Sequence, residues 1–305
     1  TLIYKFALKE ASPVYLAKGQ VPGRVLNQFS MDENKGNFRI ATTLGQSWMN
    51  SIDGSSNNLY ILNNDLYVTG KLENLAPGER IYSVRFLNAR GYIVTFRTID
   101  PLFVIDLADP KAPTVLGTLK IPGYSDYLHP YDENHIIGFG KDTITVPYKD
   151  ASGNIISSNT YDMGMKIALF DVSDVKNPVQ KYSVKIGDRG TDSELLYDHK
   201  ALLFDKTKNL LAFPVNETKV EGPVIDPVYG YPNYGNLVFN GAYVYQLDLQ
   251  QGFALKGRVS HLKDQDYMES GYYDVDYNKK IRRILYIDNT LYGISNNEVS
   301  AYDLN

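Results

Sequence analysis

The chain has 305 residues, with 31 basic and 35 acidic side chains, a formal net charge of −4 and no basic stripe, which argues against nucleic acid as a partner. Hydrophobic residues at 43% and charged residues at 22% match a globular domain rather than a disordered chain. Cysteine is absent, which removes disulfides, thiol nucleophiles and cysteine-based zinc sites together.

From the amino end onward, helical periodicity is nearly missing. Short runs rich in Val, Ile, Leu, Tyr and Phe alternate with Gly, Pro, Asn and Asp clusters, the signature of strands and turns. The apolar runs, such as Pro101-Leu102-Phe103-Val104-Ile105, fall far short of the roughly 18 residues needed to span a bilayer. Thr1 opens directly on a strand pattern with no initiator Met or signal peptide, so it is expected to be a processed or trimmed start. Tyr is abundant, 25 against 12 Phe and 1 Trp, as suits pleated strands with an amphipathic surface.

One strand type recurs along the chain, at Leu2–Phe6, Asn58–Leu62, Leu102–Asp106, Ile167–Asp171, Ala242–Gln246 and Val299–Asp303. Two copies run into the same turn, Asp106 to Pro113 and Asp171 to Pro178, where Asp caps the turn and Pro stops further pairing. A second strand follows, at Val14–Lys18, Lys71–Leu72, Thr114–Ile121, Gln180–Ile186 and Ala254–Val259, several times closed by a Pro-Gly corner. Next comes a hairpin whose turn opens on Asx, at Asp32, Asn88, Asp132, Asp205 and Asp288. The return strands are Phe38–Thr42, Tyr92–Phe96, His135–Phe139, Leu210–Phe213 and Leu291–Ile294.

Four short strands repeated about five times predict an all-β fold, a β-propeller of four-stranded antiparallel blades spanning residues 1–305 as one domain. A sandwich is the physical alternative, but it requires no repeated four-strand module. With the strands lettered A and B (the hairpin), C and D, every long insertion falls in a B–C or D–A connection: Gly45–Asn57, Lys141–Gly164, Pro214–Gly241 and Leu262–Lys280. These connections share one face of a propeller, so the functional loops are expected there.

Several strings carry a family resemblance: Leu26 to Glu33, Ala76 to Phe86, Asp100 to Leu107, Leu119 to Ser125 running on to Leu128–Asn134, Asp198 to Ala201, and Gly241 to Val244. Together they resemble the secreted β-propeller domain family of archaea and some Gram-positive bacteria, over essentially the whole chain. That resemblance implies a propeller exported to the cell surface or medium, and brings no assigned activity. It also implies a longer domain, of which this chain matches the C-terminal portion. The missing N-terminal part is then an expected partner, and the ring closes either on five blades or as part of a larger one.

For chemistry, no Gly-x-Ser-x-Gly elbow, Gly-x-Gly-x-x-Gly loop or Walker pattern occurs. Asp274-Val275-Asp276 imitates the start of an EF-hand loop, but Lys279 and Leu285 stand where Gly and Glu are needed. Asp126, His129, Asp198, His199 and His261 fall near D–A corners, which surround a propeller's channel mouth. They are either a hydrogen-bonded lining or ligands for a transition metal, with Ca²⁺ an option through the carboxylates. The insertions hold Trp48, Tyr148, Tyr161, Tyr229, Tyr231, Tyr234, Tyr267, Tyr272 and Tyr273. Tyr among Gly, Asn and Ser makes an adaptable binding surface, and aromatic rings stack on sugars; the same residues could instead anchor the loops. The expected function is a non-catalytic, exported scaffold that binds a protein or glycan through the insertion face and needs no cofactor. The alternative is a metal-dependent hydrolase or lyase at the channel mouth.

Overall fold

The computed structural model describes residues 1–9, 12–45, 54–96, 100–150, 152–227, 229–269 and 275–304. Its strands form sheets of sequence-consecutive members. The first pairs β1 (Leu2–Lys9) with β2 (Ser12–Gln20). The second holds β3 (Met31–Asn34), β4 (Asn37–Gly45), β5 (Ser55–Leu62) and β6 (Val68–Leu75). The third holds β7 (Arg80–Leu87), β8 (Arg90–Phe96), β9 (Asp100–Asp106) and β10 (Thr114–Ile121). The fourth holds β11 (Tyr124–Pro130), β12 (His135–Lys149), β13 (Ile155–Asp171) and β14 (Val179–Ile186). The fifth holds β15 (Leu203–Asp205), β16 (Leu210–Lys219), β17 (Asn236–Asp248) and β18 (Gly252–Val259). The last has three strands, β19 (Arg283–Ile287), β20 (Thr290–Ile294) and β21 (Val299–Asp303), and a short helix α1 (Asp264–Glu269) precedes it. The four-stranded repeat expected from the sequence is therefore the architecture.

Thr1–Tyr124, Leu128–Ile136 and Asp171–Val179 make one compact unit; Ser125–Tyr127, Ile137–Phe170 and Gln180–Asn305 make a second. Within each, neighbouring sheets pack face on face. In the first unit Ala41, Leu59 and Ile61 of one sheet meet Ile81, Val84, Ile93 and Ile105 of the next. In the second, Leu210, Ala212, Ala242 and Val244 meet Ile281, Ile284 and Leu291. The middle strands are covered on both faces, which explains why Asn58–Leu62 and Tyr92–Phe96 read as nearly continuous buried runs rather than alternating ones.

Local chemistry sets the turns. Asn88, Asn209 and Asp288 sit at φ of 51°, 52° and 53° in their hairpin turns, a left-handed conformation that Asn and Asp tolerate best after Gly. The first hairpin differs from expectation. Asp32 lies inside β3, paired with Arg39, and the turn falls on Lys35-Gly36 at φ 49° and 74°. A two-residue loop with positive φ at both positions matches the twist of the strands, so the register follows the Gly rather than the Asp. The C–D turns are capped as read: Asp106 Oδ1 accepts from Ala108 N at 2.9 Å, and Asp171 Oδ1 from Ser173 N at 3.0 Å.

In four of the sheets a main-chain bond ties the third strand, or the residue after it, to its own sheet's hairpin turn; after β5, Asn63 N donates instead to Tyr67 O. Leu107 N donates to Ala89 O at 2.8 Å, Val172 N to Asn134 O at 2.8 Å, Leu247 N to Asn209 O at 2.9 Å and Leu304 N to Asn289 O at 2.9 Å.

Candidate binding site

Two of the insertions are built from lengthened strands rather than loops. β12 and β13 run on to Lys149 and from Ile155, and the ribbon turns over Asp150, whose Oδ1 accepts from Ser152 N and Asn154 N at 2.9 Å each. β16 and β17 extend likewise, to Lys219 and from Asn236. Between these last two, the Tyr-rich segment closes on itself. Ile225 bridges Pro232, Asp226 N donates to Tyr231 O at 2.8 Å, and Asp226 Oδ1 accepts from Tyr229 N at 2.8 Å. Backbone bonds and an Asx turn thus order this loop, which frees its tyrosines from a packing role.

Those tyrosines gather on Arg189. The guanidinium carbon lies 4.1 Å from the Tyr234 ring centroid and 5.1 Å from that of Tyr161, both within cation–π range. Its Nη2 donates to Tyr234 Oη at 3.3 Å and its Nη1 to Pro232 O. Arg189 O in turn accepts from Gly235 N at 2.8 Å. On the ribbon, Tyr148 and Tyr161 share a hydroxyl hydrogen bond, which with the nearby Tyr231 raises the pKa of Tyr148. Tyr231 stacks on Tyr229 at 5.6 Å between centroids and 12° between planes. Tyr229 and Tyr234 remain 66% and 71% exposed, so they are surface groups rather than anchors.

Five of the tyrosines singled out from sequence, Tyr148, Tyr161, Tyr229, Tyr231 and Tyr234, are therefore one patch. Tyr267 packs beside the Leu237–Leu262–Val275 cluster, where its hydroxyl accepts from Asn240 N at 2.9 Å. Trp48, Tyr272 and Tyr273, like Asp274, lie outside the described residues. Arg189 is the member that sequence reasoning missed. Its signal is the local string Gly187-Asp188-Arg189-Gly190, where Gly187 and Gly190 hold φ of 63° and 106° in a D–A corner. At Gly187 a Cβ would overlap Thr191 Oγ1, so the corner that aims the arginine requires glycine.

The lengthened β16 also carries a buried carboxylate. Glu217, 6% exposed, accepts from Tyr243 Oη at 2.6 Å and pairs with Arg258 at 3.3 Å. Burial first, and then the hydrogen bond to Glu217, push the Tyr243 pKa up to about 12.

The channel-mouth candidates are occupied with other work. Asp198 caps the 3-10 turn His199–Ala201 by accepting from Lys200 N at 3.0 Å, and it pairs with Arg283. These interactions, the backbone donor first, hold its carboxyl below the usual range. His199 lies 3.9 Å from Asp198 and faces the Tyr127 ring at 6.2 Å between centroids. Glu194 pairs with Arg282 at 2.6 Å. His261 is buried, with Nδ1 3.1 Å from Ser295 Oγ. Asp126 and His129 lie on β11. Among the described residues no group of three or more His, Asp or Glu side chains is placed to hold a metal ion. Nor is any described helix long and apolar enough to cross a membrane.

Repeated four-stranded sheets, packed face to face within each unit and carrying their long insertions between second and third strands or between one sheet and the next, define a β-propeller-type protein. The chain belongs to the beta propeller domain family, whose model matches residues 1–305. It is 36% identical to an uncharacterized protein of Methanocaldococcus jannaschii over 289 residues, 94% of this chain and 36% of that protein. It is 34% identical to an uncharacterized protein of Archaeoglobus fulgidus over 306 residues, 100% of this chain and 37% of that one. The chain thus spans little over a third of these relatives. Among solved structures it is similar to Saccharomyces cerevisiae Sqt1, with a TM-score of 0.34 at 8% identity, covering 99% of this chain and 90% of that one. Moraxella catarrhalis BamB gives a TM-score of 0.27 at 11% identity, covering 99% and 97%.

Proposed function

We propose that this protein is a non-catalytic binding module that engages a protein or glycan through the patch formed by Tyr148, Tyr161, Tyr229, Tyr231, Tyr234 and Arg189. One observation supports it above the others: these side chains converge from three separate segments while Tyr148, Tyr229, Tyr231 and Tyr234 stay exposed around half-buried Arg189 and Tyr161. Tyrosine offers large rigid contact area at small entropic cost, and a guanidinium adds directed donors, so the set suits a surface with both apolar and polar character. An exported or cell-surface location goes with this function, as the family resemblance implies.

Triple substitution Tyr229→Ala, Tyr231→Ala and Tyr234→Ala should weaken binding at least tenfold, on the scale of ~1–3 kcal/mol expected of aromatic anchors. The melting temperature should change little, because Tyr229 and Tyr234 are mostly exposed and Tyr231 is only half-buried. A panel of immobilised glycans and of cell-envelope proteins from the source organism supplies the ligands. Unaltered binding to a ligand so identified rules out this patch as the site. The metal-dependent hydrolase or lyase has no comparable assembly of ligands among the described residues.

A further inference from the structure

A glycan and a polypeptide make different demands on the tyrosine patch, and its hydrogen-bonding groups meet one of them. Every sugar hydroxyl both donates and accepts, so a glycan calls for side chains that accept strongly as well as donate, the carboxylates and carboxamides. Within residues 226–235 the side chains of that type are Asp226 and Asn233, and both face the loop's own backbone. Asp226 Oδ1 accepts from Tyr229 N at 2.8 Å, and Asn233 Nδ2 donates to Pro223 O at 3.0 Å. What the patch presents instead is phenol. Tyr234 Oη accepts from Arg189 Nη2 and keeps its own hydrogen to give, and the bond between Tyr148 and Tyr161 uses only one of their two. Tyr229 and Tyr231 add hydroxyls on rings that are 66% and 40% exposed.

A polyproline segment asks for donors alone. Proline has no N–H, and the polyproline II helix makes no internal hydrogen bonds, so its carbonyls all face outward as acceptors. Its fixed backbone also loses little freedom on docking against aromatic rings. The loop already makes that bond with prolines of its own: the carbonyl of buried Pro232 accepts from Arg189 Nη1, and that of Pro223 accepts from Asn233 Nδ2. Tyr229 and Tyr231, stacked 12° from parallel, steady each other's rings and present them at small entropic cost.

We propose that what this patch takes is a proline-rich segment of a partner protein in the polyproline II conformation, its pyrrolidine rings lying on Tyr229, Tyr231 and Tyr234 and its carbonyls accepting from their hydroxyls. The proposal rests on the patch being the binding site and adds which polymer fills it.

Calorimetric titration of the full-length protein compares acetylated decaproline, a Gly-Ser peptide of equal length and cellotetraose. Decaproline should bind with a Kd of about 1 mM or tighter, and the Gly-Ser peptide about tenfold more weakly or not at all. Joint substitution Tyr229→Phe, Tyr231→Phe and Tyr234→Phe keeps the rings and the fold while removing their hydroxyls, and should weaken decaproline binding about fivefold. The corresponding alanine substitutions should abolish it. Undiminished affinity in the Phe variant overturns the proposal, as does a Gly-Ser peptide that binds as well as decaproline, or no decaproline binding at all. Cellotetraose bound instead, and released by the alanine substitutions, would leave the patch as the site, make its ligand a glycan and overturn the proposal alone. Decaproline binding that survives the alanine substitutions would overturn the assignment of the patch as well.

Discussion

Arg189 shows how a single side chain can organise a surface that no hydrophobic core reaches. Its planar guanidinium faces two rings and donates to a carbonyl and a hydroxyl at once. Lysine offers neither the plane nor the fork, so Arg189→Lys and Arg189→Ala should both raise hydrogen exchange across residues 220–235. If Arg189→Lys keeps wild-type protection there, the organising role is wrong. A second residue-scale expectation concerns alkali. Tyr243 and Tyr60 have pKa values pushed up to about 12, by burial first and then by hydrogen bonds to Glu217 and Glu73. A raised folded-state value keeps the proton on the folded form after the unfolded chain has lost it. Stability is therefore complete below pH ~10 and drains away between about 10 and 12. For well-buried Tyr243 the loss is on the order of 2 kcal/mol, and Tyr243→Phe should flatten that part of a melting-temperature profile.

At the scale of elements, the β12–β13 ribbon and Gly70 of β6 make opposite demands. The ribbon tip, which carries Tyr148, Ile155 and Ile156, is exposed. Replacing residues 147–158 by a two-residue Asn-Gly turn should leave the melting temperature within a few degrees and remove the contribution of Tyr148 to binding. Gly70→Val, in contrast, drives a branched side chain into the Pro110 backbone and should cost about 2–4 kcal/mol in chemical denaturation. The same contrast explains what was legible in the sequence. Third strands such as Leu102–Asp106 stand out because both their faces are buried and an Asp caps their end. The ribbon reads as a loop because Thr143, Thr145, Ser157 and Asn159 are polar and none of them is buried. In the site, the Tyr-rich string at 226–236 is visible from composition, whereas Arg189 is one arginine among many until the corner between two glycines aims it.

Across the whole molecule, stability is assembled sheet by sheet. Each compact unit has buried clusters of its own, around Ile93 and Ile105 in one and around Val244 and Ile284 in the other. In such arrays a core defect is felt chiefly by nearest neighbours. Ile93→Ala, at a position with no exposure, should cost about 2–5 kcal/mol and raise exchange in β3–β10 well before it does so in β15–β21. Equal loosening of both sets would mean a fully cooperative chain. The main-chain tie from four of the third strands to their own hairpin turns bears on how such a chain can change over time. Only an amide hydrogen and a carbonyl oxygen take part, so the units can lose almost all resemblance in their letters and still fold alike. What descends from copy to copy is a bonding pattern, and a saturation screen at Leu107, Val172, Leu247 and Leu304 should find one residue barred by that pattern at all four places: proline, which has no amide hydrogen to give.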